Sequence, residues 1–262
     1  MIVIGERING MFDDVKKALA DRDAEVIKKL AKDQVDAGAD VLDVNVGPGA
    51  ADAQGAMVWL VECIQQVVSC PLSIDTTNSK VMAAGLSACN NPTIANSITG
   101  DPKKLEAILP LVAEHNSEVI GLTIDEKGIP RDGPARLEVA GQVLIACMEA
   151  GIGSERLYID PVILPVKFTQ PNPGHVLYAI REVKVLCDPP PRTIIGLSNV
   201  SQGSLVRELI NRTFLAMALG AGLDGAIMDP LDSELMDAAI TAGLLLNKQV
   251  YCDDYLKAYR KK

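Results

Sequence analysis

The chain has 262 residues, of which 48% are hydrophobic, so it is long and apolar enough to bury one sizeable core. Its net charge of −9 and its lack of any long Lys/Arg run argue against nucleic acid as a partner, because phosphate binding needs clustered cations. No apolar run of membrane-spanning length and no basic–apolar leader occurs, so we expect a cytoplasmic protein that does not bind membranes.

Short apolar runs recur along the chain and predict the strands of the fold. Each is rich in Ile, Val or Leu without clean polar alternation, which is typical of strands buried on both faces. The runs lie at Ile2–Gly5, Val41–Val46, Leu72–Asp75, Thr93–Ser97, Val119–Ile124, Leu157–Val162, Thr193–Ser198 and Gly225–Asp229.

Longer segments with apolar residues at helical spacing separate these runs. They cover Asp14–Ala37, Asp52–Val68, Ser79–Ala88, Pro102–His115, Pro134–Ala150, Pro173–Leu186, Gln202–Leu219 and Asp232–Leu246. The repeated strand–helix unit predicts an α/β fold, a (β/α)8 TIM barrel, as a single domain over residues 1–262. A doubly wound open sheet is the alternative, although no GxGxxG motif follows the first run.

The predicted strands end in carboxylates and amides, with hardly a lysine or histidine. In a barrel these ends form the face that carries the chemistry. In chain order they offer Glu6, Arg7 and Asn9, Asp43 and Asn45, Asp75, Thr76 and Asn78, Asn96, Ser97 and Thr99, Thr123 and Asp125, Asp160, Ser198, Asn199 and Gln202, and Asp229. We therefore predict a polar small-molecule site at this face.

Two kinds of ligand suit such a ring of side chains. Carboxylate and amide oxygens bind hard cations such as Mg²⁺ or Ca²⁺. They also match a heterocycle with a 2-amino-4-oxo pyrimidine edge, because a carboxylate accepts from an amino group and a ring N–H together. Each residue has a simpler explanation as well: Asp75 and Asn199 are good helix caps, and Asp160-Pro161 is a common turn initiator.

The six cysteines give no sign of a metal site. No two stand in CxxC spacing, so we predict reduced thiols and neither a zinc site nor an iron–sulfur cluster in this chain.

Five tetrapeptides at the strand ends make the chain similar to the pterin-binding barrel family, which includes dihydropteroate synthases and the folate-binding methyltransferases of corrinoid enzymes. They are Leu42-Asp43-Val44-Asn45, Ser73-Ile74-Asp75-Thr76, Ile94-Ala95-Asn96-Ser97, Tyr158-Ile159-Asp160-Pro161 and Gly196-Leu197-Ser198-Asn199. None is specific alone; their order and placement over nearly the whole chain carry the resemblance.

Two departures separate the chain from the synthase branch. The first strand continues as Gly5-Glu6-Arg7-Ile8-Asn9, and the seventh ends in Ser198-Asn199-Val200 where synthases carry Ser-Arg-Lys. Both features resemble the methyltransferase branch. The resemblance therefore implies transfer of the N5 methyl of 5-methyltetrahydrofolate to the Co(I) corrinoid of a corrinoid/iron–sulfur protein, in the reductive acetyl-CoA pathway. A synthase-like enzyme, a methyltransferase for a different corrinoid protein and a non-catalytic pterin-binding module are the alternatives.

The resemblance also implies roles for particular residues. Asp75, Asn96 and Asp160 are expected to hold the pterin ring, and Asn199 is expected to hydrogen-bond at N5, so that Asn199, Asp75 and Asp160 form the catalytic set. The other expected substrate-binding residues are Gly196, Ser198, Gln202, Arg207, Glu6 and Asp43, with Arg207 toward the glutamate tail. No metal is expected in this chain, since the cobalamin-type corrinoid belongs to the partner, and a homodimer is expected by the same resemblance.

Overall fold

The computed structural model describes residues 1–260 and contains a closed barrel of parallel strands in the order β1 to β8. The strands are β1 (Ile2–Asn9), β2 (Val41–Asn45), β3 (Leu72–Asp75), β4 (Thr93–Thr99), β5 (Glu118–Leu122), β6 (Leu157–Asp160), β7 (Arg192–Gly196) and β8 (Gly225–Met228). The predicted (β/α)8 barrel is confirmed.

Helices follow every strand and pack around the barrel. They are α1 (Asp13–Asp21), α2 (Ala24–Asp36), α3 (Ala53–Gln65), α4 (Ser79–Ala88), α5 (Pro102–Glu114), α6 (Gly133–Glu149), α7 (Asn172–Val183), α8 (Arg207–Gly220), α9 (Ser233–Leu245) and α10 (Tyr255–Tyr259). Short 3-10 turns precede β6 (Ser154–Arg156) and follow β7 (Leu197–Ser201). Within residues 1–260, no helix combines the length and apolarity that crossing a bilayer requires.

Two predicted helices differ from those observed. The helix predicted over Asp14–Ala37 is two helices, because Arg22 adopts a left-handed φ of 55° and Asp23 starts α2 by accepting a hydrogen bond from the Glu25 N–H. The helix predicted from Gln202 begins at Arg207 instead. After β7, Leu197–Ser201 form the 3-10 turn, which also ends β7 at Gly196, before the predicted boundary; residues 202–206 then lead to α8.

The barrel interior is divided into an apolar and a polar layer. Alternate residues of a strand point the same way, so the inward positions can be read two by two from each strand. Near the amino ends these positions are mostly apolar and form one cluster: Ile4, Val41, Ile94, Ile120, Tyr158 and Ile194. Two residues further along five of these six strands the sequence has Glu6, Asp43, Asn96, Asp160 and Gly196. The apolar layer thus closes the barrel beneath a polar floor.

The amino end of the barrel has charged side chains in oppositely charged pairs. Arg192 forms a salt bridge with Glu118, and its guanidinium carbon lies 4.2 Å from the centroid of the Tyr158 ring. The Tyr158 hydroxyl donates to Glu118 Oε2 at 2.9 Å. Lys184 forms a second salt bridge, with Asp224. These pairs tie neighbouring strands and helices together at the end of the barrel that faces away from the polar floor.

Candidate active site

Asp43 is the most deeply buried carboxylate of the polar floor, with 3% of its surface exposed. Its Oδ1 accepts hydrogen bonds from the Ser73 hydroxyl at 2.6 Å and from the Asn96 amide at 3.1 Å. Asp43 and Ser73 are register partners on β2 and β3, so the strand pairing itself brings them together. Burial, followed by the nearby charge of Asp75, raises the pKa of Asp43 well above its usual value.

Asp75 lies at the end of β3 beside this network. Its Oδ2 accepts a hydrogen bond from the Asn45 side-chain amide at 2.6 Å, and Asn45 Oδ1 in turn accepts from the Gly47 N–H at 2.6 Å. Asp75 is also the register partner of Asn96 on β4. Burial raises the pKa of Asp75, and the Asn45 hydrogen bond partly offsets that rise. The side chains at the ends of β2, β3 and β4 therefore form two neighbouring hydrogen-bonded groups.

Asp160 is buried at the end of β6, with 7% of its surface exposed. Its Oδ1 accepts from the Val162 N–H at 2.7 Å across a tight turn. Burial raises the pKa of Asp160 to about 6; backbone hydrogen bonds from Val162 and Gly196 and the charge of Arg136 act in the opposite direction. The carboxyl group is desolvated and poised to accept further hydrogen bonds.

The turn after β7 contains two predicted site residues, Ser198 and Asn199, whose side chains have different surroundings. The Ser198 hydroxyl donates to Glu6 Oε1 at 2.6 Å and thereby joins β7 to β1. Asn199 is exposed, and its side-chain amide makes no hydrogen bond to residues 1–260. A Cβ at Gly196 would lie 3.1 Å from Asn199 Nδ2, so the glycine leaves room for that amide. Asn199 is free to contact a ligand.

A cavity of about 490 Å³ adjoins the Glu6–Ser198 pair, between the ends of β8 and β1 and the start of α8. Arg207 lines it and is held by hydrogen bonds from Nε to Ser201 Oγ at 3.2 Å and from Nη2 to the Ser198 carbonyl at 3.3 Å. Burial raises the pKa of Glu6, as does Asp229, which lines the same cavity. Arg207 is thus tied to the β7–α8 turn.

Strand geometry gathers most of the predicted residues into two groups. One contains Asp43, Asp75 and Asn96; the other contains Glu6, Ser198 and Arg207. Gly196 and Asp160 end adjacent strands, and Asn199 follows in the turn after β7. Gln202 is exposed, and its N–H donates to the Asn199 carbonyl at 3.2 Å, which closes the turn.

Three polar residues of these networks were missed as site residues. Asn45 was recognised only as a strand-end residue, yet it holds Asp75. Ser73 stands two residues before Asp75 on the same strand, so period-two alternation could have placed it on the inward face. Arg136 lies in the first turn of α6, where nothing in the sequence signals that its side chain is buried against β6.

Neutral donors hold the floor carboxylates, and the ring offers hydrogen-bonding groups rather than a nucleophile. Within the part of the chain that the structure describes, no cluster of three or more His, Cys, Asp or Glu side chains has the geometry to hold a metal ion. Buried carboxyl groups with raised pKa values gain most from a ligand that brings N–H donors or positive charge.

The family model for pterin-binding enzymes matches residues 5–229, which run from within β1 to just past the end of β8. The chain therefore belongs to the pterin-binding enzyme family. The matched region contains every polar strand end described above.

Curated relatives refine the comparison. The chain is 30% identical over 266 residues to the methylcorrinoid:tetrahydrofolate methyltransferase of Eubacterium limosum, covering 100% of this chain and 97% of that protein. It is 30% identical over 241 residues to the methionine synthase of Mycobacterium tuberculosis, but that match covers 87% of this chain and only 20% of the synthase.

Two solved structures of the same fold are dihydropteroate synthases. The enzyme of Coxiella burnetii in complex with pteroic acid superposes with a TM-score of 0.71 at 16% identity, covering 95% of this chain and 94% of that one. The enzyme of Xanthomonas albilineans in complex with 7,8-dihydropteroate gives 0.67 at 19% identity, with the same coverage. At these identities the likeness concerns the fold.

Proposed function

We propose that this protein is a methyltransferase that moves the N5 methyl group of 5-methyltetrahydrofolate to the Co(I) corrinoid of a partner protein. The observation that carries the proposal is the polar floor of desolvated carboxylates and amides at the carboxyl ends of the strands. The full-length similarity to a methylcorrinoid:tetrahydrofolate methyltransferase supports it.

Asp160 is the proposed anchor of the pterin. Its buried carboxylate accepts from the 2-amino group and the adjacent ring N–H of the pyrimidine edge, and this pair of hydrogen bonds replaces the lost hydration. Asp75 and Asn96 hold the rest of the ring, with Asp43 behind them as the buried acceptor that orients the Asn96 amide. Gly196 and Ser198 line the pocket, and Gln202 flanks it.

Asn199 is the proposed catalytic residue at N5. Breaking the C–N bond sends its electron pair to N5, which is a poor leaving group unless it is protonated. The Asn199 amide oxygen accepts a hydrogen bond from protonated N5, and this interaction favours the protonated, reactive form over the neutral substrate that cannot release its methyl group. The support is its position: an exposed amide without a protein partner, one turn beyond the end of β7.

The chain needs no nucleophile of its own for this reaction. The Co(I) substrate supplies the electron pair for the new Co–C bond and becomes methyl–Co(III), while the proton stays on N5 of tetrahydrofolate. The residues of the barrel bind and orient the pterin and leave its methyl group facing the open end.

The tail of the folate is proposed to leave the ring toward Arg207. That guanidinium lines the cavity beside Glu6, and its bonds to Ser201 and the Ser198 carbonyl hold it in place. Asp229 and Glu6 make this cavity acidic, so a tail carboxylate bound there needs the positive charge of Arg207 as its partner.

The partner is proposed to be a corrinoid/iron–sulfur protein of the reductive acetyl-CoA pathway, encountered in the cytoplasm. The chain itself is proposed to form a homodimer through helices outside the rim. Exposed apolar side chains there support this, including Ile145 and Met148 on α6 and Met217 on α8, each more than half exposed.

A methyltransferase that serves a different corrinoid protein, working in the reverse direction, is the second candidate. It is favoured by the name of the Eubacterium limosum relative, which runs from methylcorrinoid to tetrahydrofolate and mentions no iron–sulfur protein. A dihydropteroate synthase-like activity has only the fold likeness in its favour, since Asn199 and Val200 stand where synthases have Arg and Lys.

An anaerobic transfer assay tests these proposals together. Purified protein is mixed with 5-methyltetrahydrofolate and either of two reduced corrinoid proteins, one with and one without an iron–sulfur cluster, and loss of Co(I) absorbance is followed. We expect transfer to the iron–sulfur partner; transfer to the other alone supports the second candidate. Tight folate binding without transfer to either would overturn the methyltransferase proposal.

A further inference from the structure

Arg136 is a buried arginine beside the candidate site that the proposed reaction does not use. It lies in the first turn of α6 with 1% of its surface exposed. Its Nε donates a hydrogen bond to the Pro161 carbonyl at 2.8 Å. Its Nη1 is buried and has no hydrogen-bond partner among residues 1–260.

This arrangement is costly for the fold. Burial lowers the pKa of Arg136, and the charges of Asp132 and Asp160 only oppose that effect from a distance, because no carboxylate of the described residues lies within 4.0 Å of its guanidinium. An apolar side chain of similar volume generally stabilises a fold as well as such a cation or better. Packing alone therefore does not account for an arginine here.

The contact of Arg136 falls on the turn that aims Asp160. Pro161 follows Asp160 directly, and Val162 then adopts a left-handed φ of 61°, which is unfavourable for a β-branched residue. In this conformation the Val162 N–H points back and donates to Asp160 Oδ1 at 2.7 Å. The hydrogen bond from Arg136 to the Pro161 carbonyl fixes the orientation of the Pro161–Val162 peptide, whose N–H is the donor to Asp160.

We propose that Arg136 is a positioning residue for Asp160: its buried guanidinium holds the Asp160–Val162 turn in the shape that presents the carboxylate to the pterin, and its positive charge acts on that carboxylate. The first part of the assignment, a held turn and a charge coupling, concerns the chain alone. The consequence for the pterin rests on the proposed function.

The other charged groups near β6 act elsewhere. Glu118 on β5 and Arg192 on β7 pair with each other at the amino end of the barrel, and Asp132 caps α6 and acts on Arg136. Arg136 lowers the pKa of Asp160 against the effect of burial. Removing its charge therefore raises that pKa further, so the carboxylate becomes protonated at a higher pH.

Arg156 provides a matched control. It also donates to backbone carbonyls from a largely enclosed position, with Nε to Ser117 at 3.2 Å and Nη2 to Val112 at 3.2 Å. It lies before β6, at the opposite end of the barrel from Asp160. Arg156→Lys thus reports what losing arginine–carbonyl bonds does to this fold without touching the Asp160 turn.

The test compares Arg136→Met, Arg136→Lys and Arg156→Lys with the unmodified protein in two measurements. The first, without folate, follows the Asp160 carboxyl carbon by NMR as a function of pH. The second measures the dissociation constant of 5-methyltetrahydrofolate between pH 5 and pH 9. For Arg136→Met we expect the Asp160 titration to move up by about one pH unit and folate binding at pH 7 to weaken about tenfold.

The control variants sharpen the outcome. Arg136→Lys keeps the charge but loses the fixed Nε geometry, so its titration stays close to that of the unmodified protein while folate binding weakens. Arg156→Lys lowers thermal stability and changes neither measurement. A folded Arg136→Met protein with an unmoved Asp160 titration overturns the proposal; if that variant does not fold, Arg136→Lys binding folate as tightly as the unmodified protein overturns it.

Failure of the proposed function would look different. In that case the unmodified protein and Arg156→Lys would not bind folate at any pH, while the folate-free titration of Asp160 would still move in Arg136→Met.

Discussion

Both ends of the barrel contain acidic side chains, but the groups that pair with those side chains differ between the two ends. At the amino end Glu118 pairs with Arg192 and Asp224 pairs with Lys184, and a cavity of about 520 Å³ opens among the strand starts. At the carboxyl end the cavity beside Glu6 is of similar size, about 490 Å³. Cavity volume therefore does not distinguish the two ends, but the partners of the carboxylates at the strand ends do.

At the carboxyl end, buried aspartates accept hydrogen bonds from uncharged donors. The donors to Asp43 are Ser73 and Asn96. The donor to Asp75 is Asn45, and the donor to Asp160 is the Val162 N–H. Their pKa values are raised, so ionisation costs free energy there. A ligand that binds only the folded protein can offset that cost, whereas at the amino end salt bridges already do so.

The largest expected effect is on catalysis at the exposed amide of the carboxyl end. Asn199→Ala removes the group proposed to bind protonated N5 and should lower the methyl-transfer rate by about two powers of ten or more. Asn199 is exposed and makes no side-chain hydrogen bond within residues 1–260, so the free energy of unfolding should change by less than about 0.5 kcal/mol. Near-normal transfer would contradict the assignment. The control is Asn90→Ala, which replaces an exposed asparagine at the amino end of the barrel.

Asp160→Asn should weaken folate binding by about tenfold or more, because an amide cannot accept the paired hydrogen bonds of the pyrimidine edge as a carboxylate does. Calorimetric titration with 5-methyltetrahydrofolate measures this directly. An unchanged dissociation constant would place the pterin elsewhere.

The same substitution should have the opposite effect on stability. Burial raises the pKa of Asp160 from an ordinary value of 3.8 to about 6 in the folded protein, so the unmodified protein loses stability as the pH rises from about 4 to about 6. The shift corresponds to about 3 kcal/mol at neutral pH, which Asp160→Asn should largely recover. Asp224→Asn, which breaks the pair with Lys184, should instead destabilise by about 1 kcal/mol. Urea unfolding at pH 4 and pH 7.5 measures the change in the free energy of unfolding of both variants. If both variants change it in the same direction at pH 7.5, the proposed difference between the two ends is wrong.

Gly196→Ala should have an intermediate effect on catalysis. The new Cβ would lie 3.1 Å from Asn199 Nδ2 and turn that amide away, so we expect transfer to slow about tenfold. Gly174→Ala on α7 meets no atom within 4 Å and serves as the control in the same assay. Equal rates for both variants would show that the geometry of Asn199 is not what the glycine protects.

Arg192→Met should have the smallest effect on activity. It removes the salt bridge to Glu118 and the contact with the Tyr158 ring, which together should lower the free energy of unfolding by about 1 to 2 kcal/mol. Folate binding and methyl transfer should stay within about twofold of normal, since the apolar layer separates Arg192 from the polar floor. A large loss of methyl transfer in this variant would show that the amino end influences the site at the carboxyl end.

Strand placement was predictable from the sequence because buried parallel strands are continuous apolar runs, and β3 begins and ends where its run does. The break between α1 and α2 was not, since it depends on a left-handed Arg22, a residue with no intrinsic preference for that conformation. The site shows the same contrast. Aspartates at strand ends could be read directly, whereas the burial of Arg136 arises only when α6 packs against β6.

The most direct test of the account is a crystal structure with 5-methyltetrahydrofolate bound, and in it the distance from the Asn199 amide to N5. We predict hydrogen-bond distance for that pair, with the Asp160 carboxylate against the 2-amino edge and the methyl group facing the open end of the barrel. A pterin bound away from Asp160, or an N5 beyond reach of Asn199, would contradict the proposed division between a stabilising amino end and a binding carboxyl end.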